Sequence, residues 1–378
     1  MLRHLMTEDS QKPTILIVED ELGPRNALKV ILRPFYNLQA VDNGHAAIRA
    51  LKESTIDLVT LDMRLPDRQG MDILQQIKAE HDGVEVVIIT GYGSLKSAMD
   101  ATRFGAAAYL LKPFNVTELL AVINNTLEKK QRLAGLKFFL TNTKTLWGSE
   151  QEAYAAWNQL RDLYQQARSK LKPEGHAPEP TDRTPLLAEL LEAKNRDLFN
   201  HANRTSFYAG LLGKHVGLTA AEQKALTLGA FLHDIGQVGL DDALLSKGRT
   251  LDEKDRETFK RHPELGSRLI IPLHVPAEVG QIVLYHHERY DGLGYPYGLQ
   301  GDGIPLSARI VGISQVFDHL TAEPSPMTVQ DAVLQIRRGA GTEFDPSLVE
   351  TFVRIANESA MSLPALAASS KPALIPET

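Results

Sequence analysis

Apolar residues in the first 125 positions fall into short runs separated by amphipathic stretches. The runs are apolar on both faces and rich in Val, Ile and Leu, which is typical of buried parallel strands. They are Ile15–Val18, Leu58–Leu61, Val84–Ile89 and Ala107–Leu111. Helical periodicity covers the segments 24–33, 44–53, 70–80, 94–104 and 115–132. The alternation predicts an α/β fold, a doubly wound five-stranded parallel sheet whose site lies at the carboxyl ends of its strands.

The pattern changes after this segment. Between residues 149 and 171, Tyr154, Trp157, Leu160 and Tyr164 recur at spacings of three and four, which predicts a helix-packing face. A homodimer seam is an alternative that this short segment leaves open. Residues 172–180 are Pro-rich, which excludes a regular helix or strand and predicts a hinge. Most of the segment from 185 to 355 is helical in pattern, which predicts an all-α domain.

These patterns divide the chain into four parts. We expect an α/β domain over 13–130, a helical linker with a Pro-rich hinge over 131–190, a helical domain over 191–356 and a flexible tail over 357–378.

Composition narrows the function classes. The 378 residues carry a formal net charge of -6 and include no cysteine. Thiolate metal sites, disulfides and a cysteine nucleophile are therefore excluded, and a DNA-binding role is disfavoured because no basic recognition segment follows the first domain. No secretory signal and no run of about 18 apolar residues is present. We expect a cytoplasmic protein without membrane insertion.

Polar residues follow the predicted strands of the first domain. Glu19 and Asp20 end the first strand, Asp62 the third, Thr90 the fourth and Lys112 the fifth. Three carboxylates at one sheet edge repel one another unless a hard cation binds, and Mg²⁺ suits such oxygen ligands. A hydroxyl and a lysine beside them could hold a phosphoryl group.

This set resembles the receiver domain of two-component response regulators over residues 13–130. The resemblance implies Asp62 as phosphoacceptor, Mg²⁺ bound by Glu19, Asp20 and Asp62, and a sensor histidine kinase as partner. It also implies switch roles for Thr90, Tyr109 and Lys112, and a cis bond between Lys112 and Pro113. A flavodoxin-like domain that merely keeps these residues is the alternative.

Histidines cluster in the helical domain. Eight of twelve lie between residues 201 and 319. An Ala- and Leu-rich helix, Ala220–Leu232, ends directly at His233 and Asp234, and Asp197 and His201 share a helix face because they are four residues apart. Imidazole and carboxylate are suitable ligands for iron, manganese or zinc.

These motifs resemble the HD-GYP branch of the HD phosphohydrolases, over roughly 190–355. The resemblance implies a phosphodiesterase that converts cyclic di-GMP to pGpG or GMP with two or three bound metal ions, iron or manganese. The implied ligands are Asp197, His201, His233, Asp234, His262, His286 and His287. The substrate loop implied by the name motif comprises Arg289, Asp291, Gly292, Gly294, Tyr295 and Pro296, with Arg309 downstream.

Three departures remove charge from this site. Gln315 stands where the family has an Asp ligand, Gln237 where it usually has Lys, and Glu323–Met327, including Pro324, where it has an Arg-Pro-Tyr run. Asp318 matches the second family Asp, which is not the usual ligand. The chain is therefore either an impaired phosphodiesterase or a catalytically inactive domain that signals through protein partners at the substrate-loop surface.

The remaining histidines are expected outside the ligand set. We expect packed or surface positions for His215, His274 and His319. We expect solvated positions for His4, His45, His81 and His176.

Overall fold

The computed structural model describes residues 12–81, 83–142, 155, 157–162, 164, 184–247, 250–273, 275–322 and 326–358. The chain forms two compact units, Met1–Gln131 and Arg132–Thr378. In the described part, no helix combines the length and apolar character needed to cross a membrane.

The first unit is a parallel sheet covered by helices, as predicted. Its strands follow the order β2-β1-β3-β4-β5: β1 Thr14–Val18, β2 Asn37–Val41, β3 Leu58–Leu61, β4 Glu85–Thr90 and β5 Ala108–Leu111. Its helices are α1 Leu22–Leu32, α2 Gly44–Glu53, α3 Gly70–Glu80, α4 Leu95–Arg103 and the first part of α5 Val116–Asn142, whose residues from Arg132 onward belong to the second unit. The doubly wound α/β fold is confirmed.

Alternate residues of each strand face opposite sides of the sheet, so two cores form. Ile15 and Ile17 pack in one core with residues of α1 and α5. Leu16 and Val18 pack in the other with residues of α2 and α3. Strand β2 carries no apolar run because it is an edge strand with no fully buried residue. Helix α5 extends ten residues beyond its predicted end at 132.

The second unit is all-helical, as predicted. Its helices are α6 Thr184–Lys194, α7 Arg196–His215, α8 Ala220–Leu232, α9 Asp242–Ser246, α10 Glu253–Phe259, α11 His262–Ile270, α12 Ala277–Tyr285, α13 Leu306–Thr321, α14 Val329–Arg338 and α15 Pro346–Glu358. Short 3₁₀ helices span Ile235–Gly239, Ile271–Leu273 and Gly301–Gly303.

Described residues of the predicted linker belong to the core of this second unit. Trp157, Leu160 and Tyr164 are buried with residues of α6, and the Trp157 indole donates a hydrogen bond to the Leu269 carbonyl at 2.8 Å. This agrees with the predicted packing face. Tyr154, the hinge at 172–180 and the tail from 359 onward lie outside the described residues.

Candidate receiver site and metal centre

Three charged residues form a buried cluster at the carboxyl edge of the sheet. The Lys112 ammonium donates hydrogen bonds to Oε2 of Glu19 and Oδ2 of Asp62, each at 2.6 Å. Asp20 is exposed, yet its carboxylate lies within 4.8 Å of those of Glu19 and Asp62. The structure thus brings together the predicted phosphoacceptor, the predicted Mg²⁺ ligands and the predicted lysine. The Lys112–Pro113 bond is cis, as expected.

The protonation chemistry of this cluster fits a hard divalent cation. Oε1 of Glu19 is buried without a hydrogen-bond partner among the described residues. Burial raises the pKa of Glu19, although Lys112 beside it acts in the opposite direction. Burial would lower the pKa of Lys112, but its hydrogen bonds to Asp62 and Glu19 raise it. An oxygen left without a donor in a carboxylate cluster suits Mg²⁺.

The predicted switch residues surround this cluster on β4 and β5. Thr90 is fully buried, and its hydroxyl accepts a hydrogen bond from the Tyr92 amide at 3.3 Å. The Tyr109 hydroxyl lies 3.2 Å from the Ser97 hydroxyl on α4. Both side chains therefore contact the β4–α4 segment, which a change of charge at Asp62 could reorganise.

In the second unit, helix ends converge on a group of buried histidines. His233 follows α8, His262 begins α11 and His286 follows α12, while His201 comes from the second turn of α7. Their burial has a structural reason, because α8 and α12 are strongly apolar helices that end at the centre of the unit. The apolar helices thus place polar side chains, which are potential metal ligands, in a buried position.

Hydrogen bonds fix the tautomer of these four imidazoles. Each Nδ1 atom lies close to an oxygen that can only accept, so Nδ1 carries the hydrogen and the Nε2 of the neutral ring has a free lone pair. The Nδ1 partners are Asp318 Oδ2 for His201 at 2.7 Å, the Ala230 carbonyl for His233 at 2.7 Å, the Phe259 carbonyl for His262 at 2.8 Å and the Val283 carbonyl for His286 at 3.0 Å.

The free Nε2 atoms face each other in two pairs. A distance of 3.2 Å separates Nε2 of His201 from Nε2 of His233, and the same distance separates those of His262 and His286. Two lone pairs at this distance repel each other unless a proton or a metal ion lies beside them. The donor set therefore fits cations at both pairs.

Asp234 lies between the two pairs. Its Oδ2 is 3.3 Å from Nε2 of His233 and 3.8 Å from that of His201. Its Oδ1 is 3.0 Å from Nε2 of His262 and 3.7 Å from that of His286. Oδ1 is buried and forms no hydrogen bond of good geometry with the described residues. A carboxylate with one oxygen toward each imidazole pair can bridge two metal ions.

The pKa values differ between members of the cluster. Although burial would lower it, the neighbouring Asp234 raises the pKa of His233, so a metal ion there would replace a proton. Burial would raise the pKa of Asp234, but the neighbouring imidazoles hold it well below its ordinary value. Burial lowers the pKa of His286 to about 4 and also lowers the pKa of His287. These two histidines are therefore neutral at pH 7, as a metal ligand must be.

His287 joins the His262 side of the cluster and connects it to the glycine-rich loop. Potential ligand atoms of Asp234, His262, His286 and His287 all lie within 4.8 Å of one another. The Tyr295 ring stacks on His287 with centroids 4.6 Å apart. Gly294 permits this, because a Cβ there would lie 2.3 Å from the Arg289 amide nitrogen.

Glu288 fixes the rest of this loop. Its buried carboxylate accepts hydrogen bonds from the amides of Tyr297 at 2.8 Å and Leu299 at 3.0 Å. Gly292 adopts a positive φ of 80°, and the Tyr295–Pro296 bond is cis. The loop predicted to carry substrate contacts is thus a fixed structure against the histidines.

A cavity of about 400 Å³ opens beside the histidines and this loop. Its lining includes His286, His287, Gln315 and three cations, Lys260, Arg289 and Arg309. Arg289 is paired with Asp291 at 2.7 Å and Glu343 at 3.1 Å. Arg309 contacts Asp345 at 2.6 Å and Asp302 at 2.8 Å, yet its buried Nε has no partner in the described part of the chain. The lining also includes three acids, Glu288, Glu343 and Asp345, so its charges balance, and the Nε of Arg309 remains as a donor that a ligand oxygen could use.

Gln315 occupies the place predicted for a lost ligand. It is buried, and its Nε2 donates a hydrogen bond to the His286 carbonyl at 3.0 Å. Asp197 is exposed in the first turn of α7 and lies outside the groups of potential metal ligands. The structure does not bring it to the other predicted ligands.

Asp318 has contacts that the sequence did not reveal. It binds both His201 and Arg204 from within α13. Its spacing of three from Gln315 placed it on the same helix face and was the available signal.

The other histidines divide as follows. His215 and His45 are exposed, as expected. His319 is at the surface, and its ring packs 4.2 Å from that of His201. His81 was expected to be solvated, but it is half-buried and its Nε2 is closed off from solvent. His4, His176 and His274 lie outside the described residues, as does Pro324.

Comparisons with known proteins agree with this two-part architecture. The sequence profile of the response regulator receiver domain matches residues 15–124, and that of the HD domain matches residues 185–348. HD domains are metal-dependent phosphohydrolases, in agreement with the histidine and aspartate cluster.

Three relatives illustrate the similarity. The cyclic di-GMP phosphodiesterase response regulator RpfG of Xanthomonas campestris is 29% identical over 350 residues, which cover 90% of this chain and 87% of that protein. A probable cyclic di-GMP phosphodiesterase of Vibrio cholerae is 29% identical over 377 residues, which cover 93% of this chain and 79% of that protein. The 3'3'-cGAMP-specific phosphodiesterase 2 of the same organism is 34% identical over 169 residues, with coverage of 43% and 32%. The chain is a two-component response regulator that joins a receiver domain to an HD-type output domain.

Proposed function

We propose that phosphorylation of Asp62 controls a metal-dependent phosphodiesterase that hydrolyses cyclic di-GMP. The observation that carries the proposal is the position of Asp234 between the two imidazole pairs, with one carboxylate oxygen toward the Nε2 atoms of each pair. The names of the relatives that span most of the chain support the substrate.

The residues present would hold two transition metal ions, iron or manganese. His201 and His233 would bind one ion, His262, His286 and His287 the other, and Asp234 both. Two bound ions would supply an activated water and stabilise the leaving oxygen of a phosphodiester. Asp234 and the four Nδ1 hydrogen bonds keep the ligand atoms in place.

The cavity offers a donor for a phosphate group of the substrate. Arg309 offers a buried Nε without a partner among the described residues, and a phosphate oxygen could accept from it. Lys260 and Arg289 line the same space. His286 and His287 line the cavity as well, so a phosphodiester held by these cations would lie beside these two predicted ligands.

In the receiver domain, the residues support phosphoryl transfer from a sensor histidine kinase to Asp62. A phosphoryl group adds about −1.5 to −2 charges. Lys112 now divides its hydrogen bonds between Asp62 and Glu19, and the phosphoryl oxygens would compete for this cation. The buried hydroxyl of Thr90 lies at the end of the neighbouring strand, where it could follow the new charge.

A second candidate function is a signalling module that no longer turns over substrate. The observation that favours it is Gln315, which is buried where the family has a carboxylate ligand. Its amide is held by the His286 carbonyl, so it contributes at most one neutral oxygen to the site. Each lost charge-assisted contact costs about 1.5–3 kcal/mol.

Turnover decides between the two functions. The purified chain is incubated with Mn²⁺ or, without oxygen, Fe²⁺, and cyclic di-GMP and 3'3'-cGAMP are followed by chromatography. Linear products that disappear in Asp234→Asn support the phosphodiesterase. Products from the Gln315→Asp variant but not from the unchanged chain support an output domain that lost catalysis at this ligand position. No product from either chain refutes the enzyme and leaves the signalling module.

A further inference from the structure

Asp318 contacts both a predicted metal ligand and a cation outside the ligand set. Its Oδ2 accepts a hydrogen bond from Nδ1 of His201 at 2.7 Å. Arg204 donates to the same carboxylate twice, through Nε at 2.5 Å and through Nη2 at 3.0 Å. Asp318 is only 1% exposed. A buried carboxylate is costly unless it is paired and hydrogen-bonded, and this two-point contact with Arg204 offsets that cost.

His201 needs this contact because of its place in the fold. His233 and His286 each follow the end of a helix, where carbonyl oxygens are free of helical hydrogen bonds. Their Nδ1 atoms bind such carbonyls. His201 lies in the second turn of a twenty-residue helix, where carbonyls already accept helical hydrogen bonds. A side chain from another helix must therefore orient its ring.

We infer that Asp318, held by Arg204, is a positioning residue that fixes His201 as a ligand through Nε2. The inference rests on the proposed metal-dependent function. A carboxylate behind a metal-bound imidazole fixes the ring and raises its basicity. Within the groups of potential ligands, the His201 side offers two imidazoles, those of His201 and His233, whereas the other side offers those of His262, His286 and His287. With fewer imidazole ligands, the ion on the His201 side depends more strongly on the orientation of each ring.

The test is a metal titration of the full chain with Co²⁺, followed by its visible absorption. For the Asp318→Asn variant, we expect one equivalent of Co²⁺ to bind with the wild-type affinity and the second to bind about 10–100-fold more weakly than in wild type. Arg204→Gln should weaken the same equivalent by a smaller factor. Glu189→Gln is the matched control, because it removes an arginine–carboxylate pair of the second unit, with Arg132, that involves no predicted ligand.

A double-mutant cycle separates positioning from general destabilisation. After His201→Ala, the change Asp318→Asn should have no further effect on metal affinity, because the contact no longer exists. Additive losses, equal losses at both equivalents or an unchanged titration would overturn the inference. Thermal unfolding of each metal-free variant identifies one that fails to fold, in which case Arg204→Gln decides.

The outcomes also distinguish this inference from the proposed function. If the wild-type chain binds fewer than two equivalents of Co²⁺, the proposed two-metal centre itself is refuted. If it binds two and Asp318→Asn does not change either, only the positioning role fails.

Discussion

A single methyl group at Gly236 should disrupt one side of the metal centre. Gly236 lies in the 3₁₀ turn after Asp234, where it packs against the start of α11. A Cβ at this position would lie 1.9 Å from the His262 carbonyl oxygen and 2.5 Å from the Gly266 nitrogen. Both obstacles are backbone atoms, so no side-chain rotation relieves the contact.

The size of the displacement follows from these distances. A Cβ essentially never lies closer than 3.0 Å to such an atom, so the two backbone segments must separate by at least about 1.1 Å. That shift would move His262 away from Asp234, whose Oδ1 lies 3.0 Å from the His262 Nε2 atom. Metal–ligand distances tolerate changes of about 0.2 Å. We therefore expect Gly236→Ala to lose the ion on the His262 side, and turnover to fall about 100-fold.

Metal analysis after dialysis and unfolding of the metal-free chain provide the assay. Overpacking should cost Gly236→Ala about 1–3 kcal/mol of unfolding free energy. Gly280→Ala is the matched control, since Gly280 lies within α12 and a Cβ there meets no atom within 4 Å. We expect that variant to keep its metal and gain up to about 1 kcal/mol from helix propensity. A Gly236→Ala chain with wild-type metal content and activity would refute the reasoning.

Three further predictions concern other parts of the molecule. Asp62→Asn should abolish labelling by a small-molecule phosphodonor such as acetyl phosphate; retained labelling would contradict the phosphoacceptor assignment. Asp67→Asn should lower receiver stability by about 1 kcal/mol at pH 7. Although burial opposes it, hydrogen bonds from the Gly44 and His45 amides lower the pKa of Asp67 to about 2. Its stabilisation is therefore complete above about pH 4 and lost as the pH falls through 2, so urea unfolding curves of the two chains should converge there. Glu288→Ala should accelerate hydrogen exchange at the Tyr297 amide, which it now binds, without loss of metal; unchanged exchange would contradict its role in the loop.

The sequence predicted the elements with a clear hydrophobic pattern, which are the fully buried strands and the amphipathic helices. Strand β3 and helices α2 and α3 match their predicted bounds because apolar runs and helical periodicity mark them clearly. Strand β2 was not located, since an edge strand with half-buried residues lacks such a run. Helix α5 extends beyond its predicted end because its last part belongs to the second unit, where Leu136 and Phe139 are buried in the core.

The structure brings together most residues of the predicted site, although Asp197 lies outside the groups of potential ligands, and the geometry of the site was not predictable. Motif spacing identified His233, Asp234 and the paired His286 and His287. It could not show that Asp234 faces two imidazole pairs, because that depends on how α8, α11 and α12 meet. The contact of Asp318 with His201 joins residues 117 positions apart, and local periodicity carries no information at that distance.

The charge balance of the metal centre has a consequence for binding. Asp234 is the single carboxylate in the two histidine-containing groups of potential ligands found among the described residues, and Gln315 is neutral. Two divalent ions would carry four positive charges against this one anion, in a buried site where charge is poorly screened. The phosphates of a bound cyclic dinucleotide would offset much of the excess. Metal and substrate should therefore bind more tightly together than apart, since such coupling is reciprocal. Metal affinity measured without the dinucleotide would then understate the affinity during turnover.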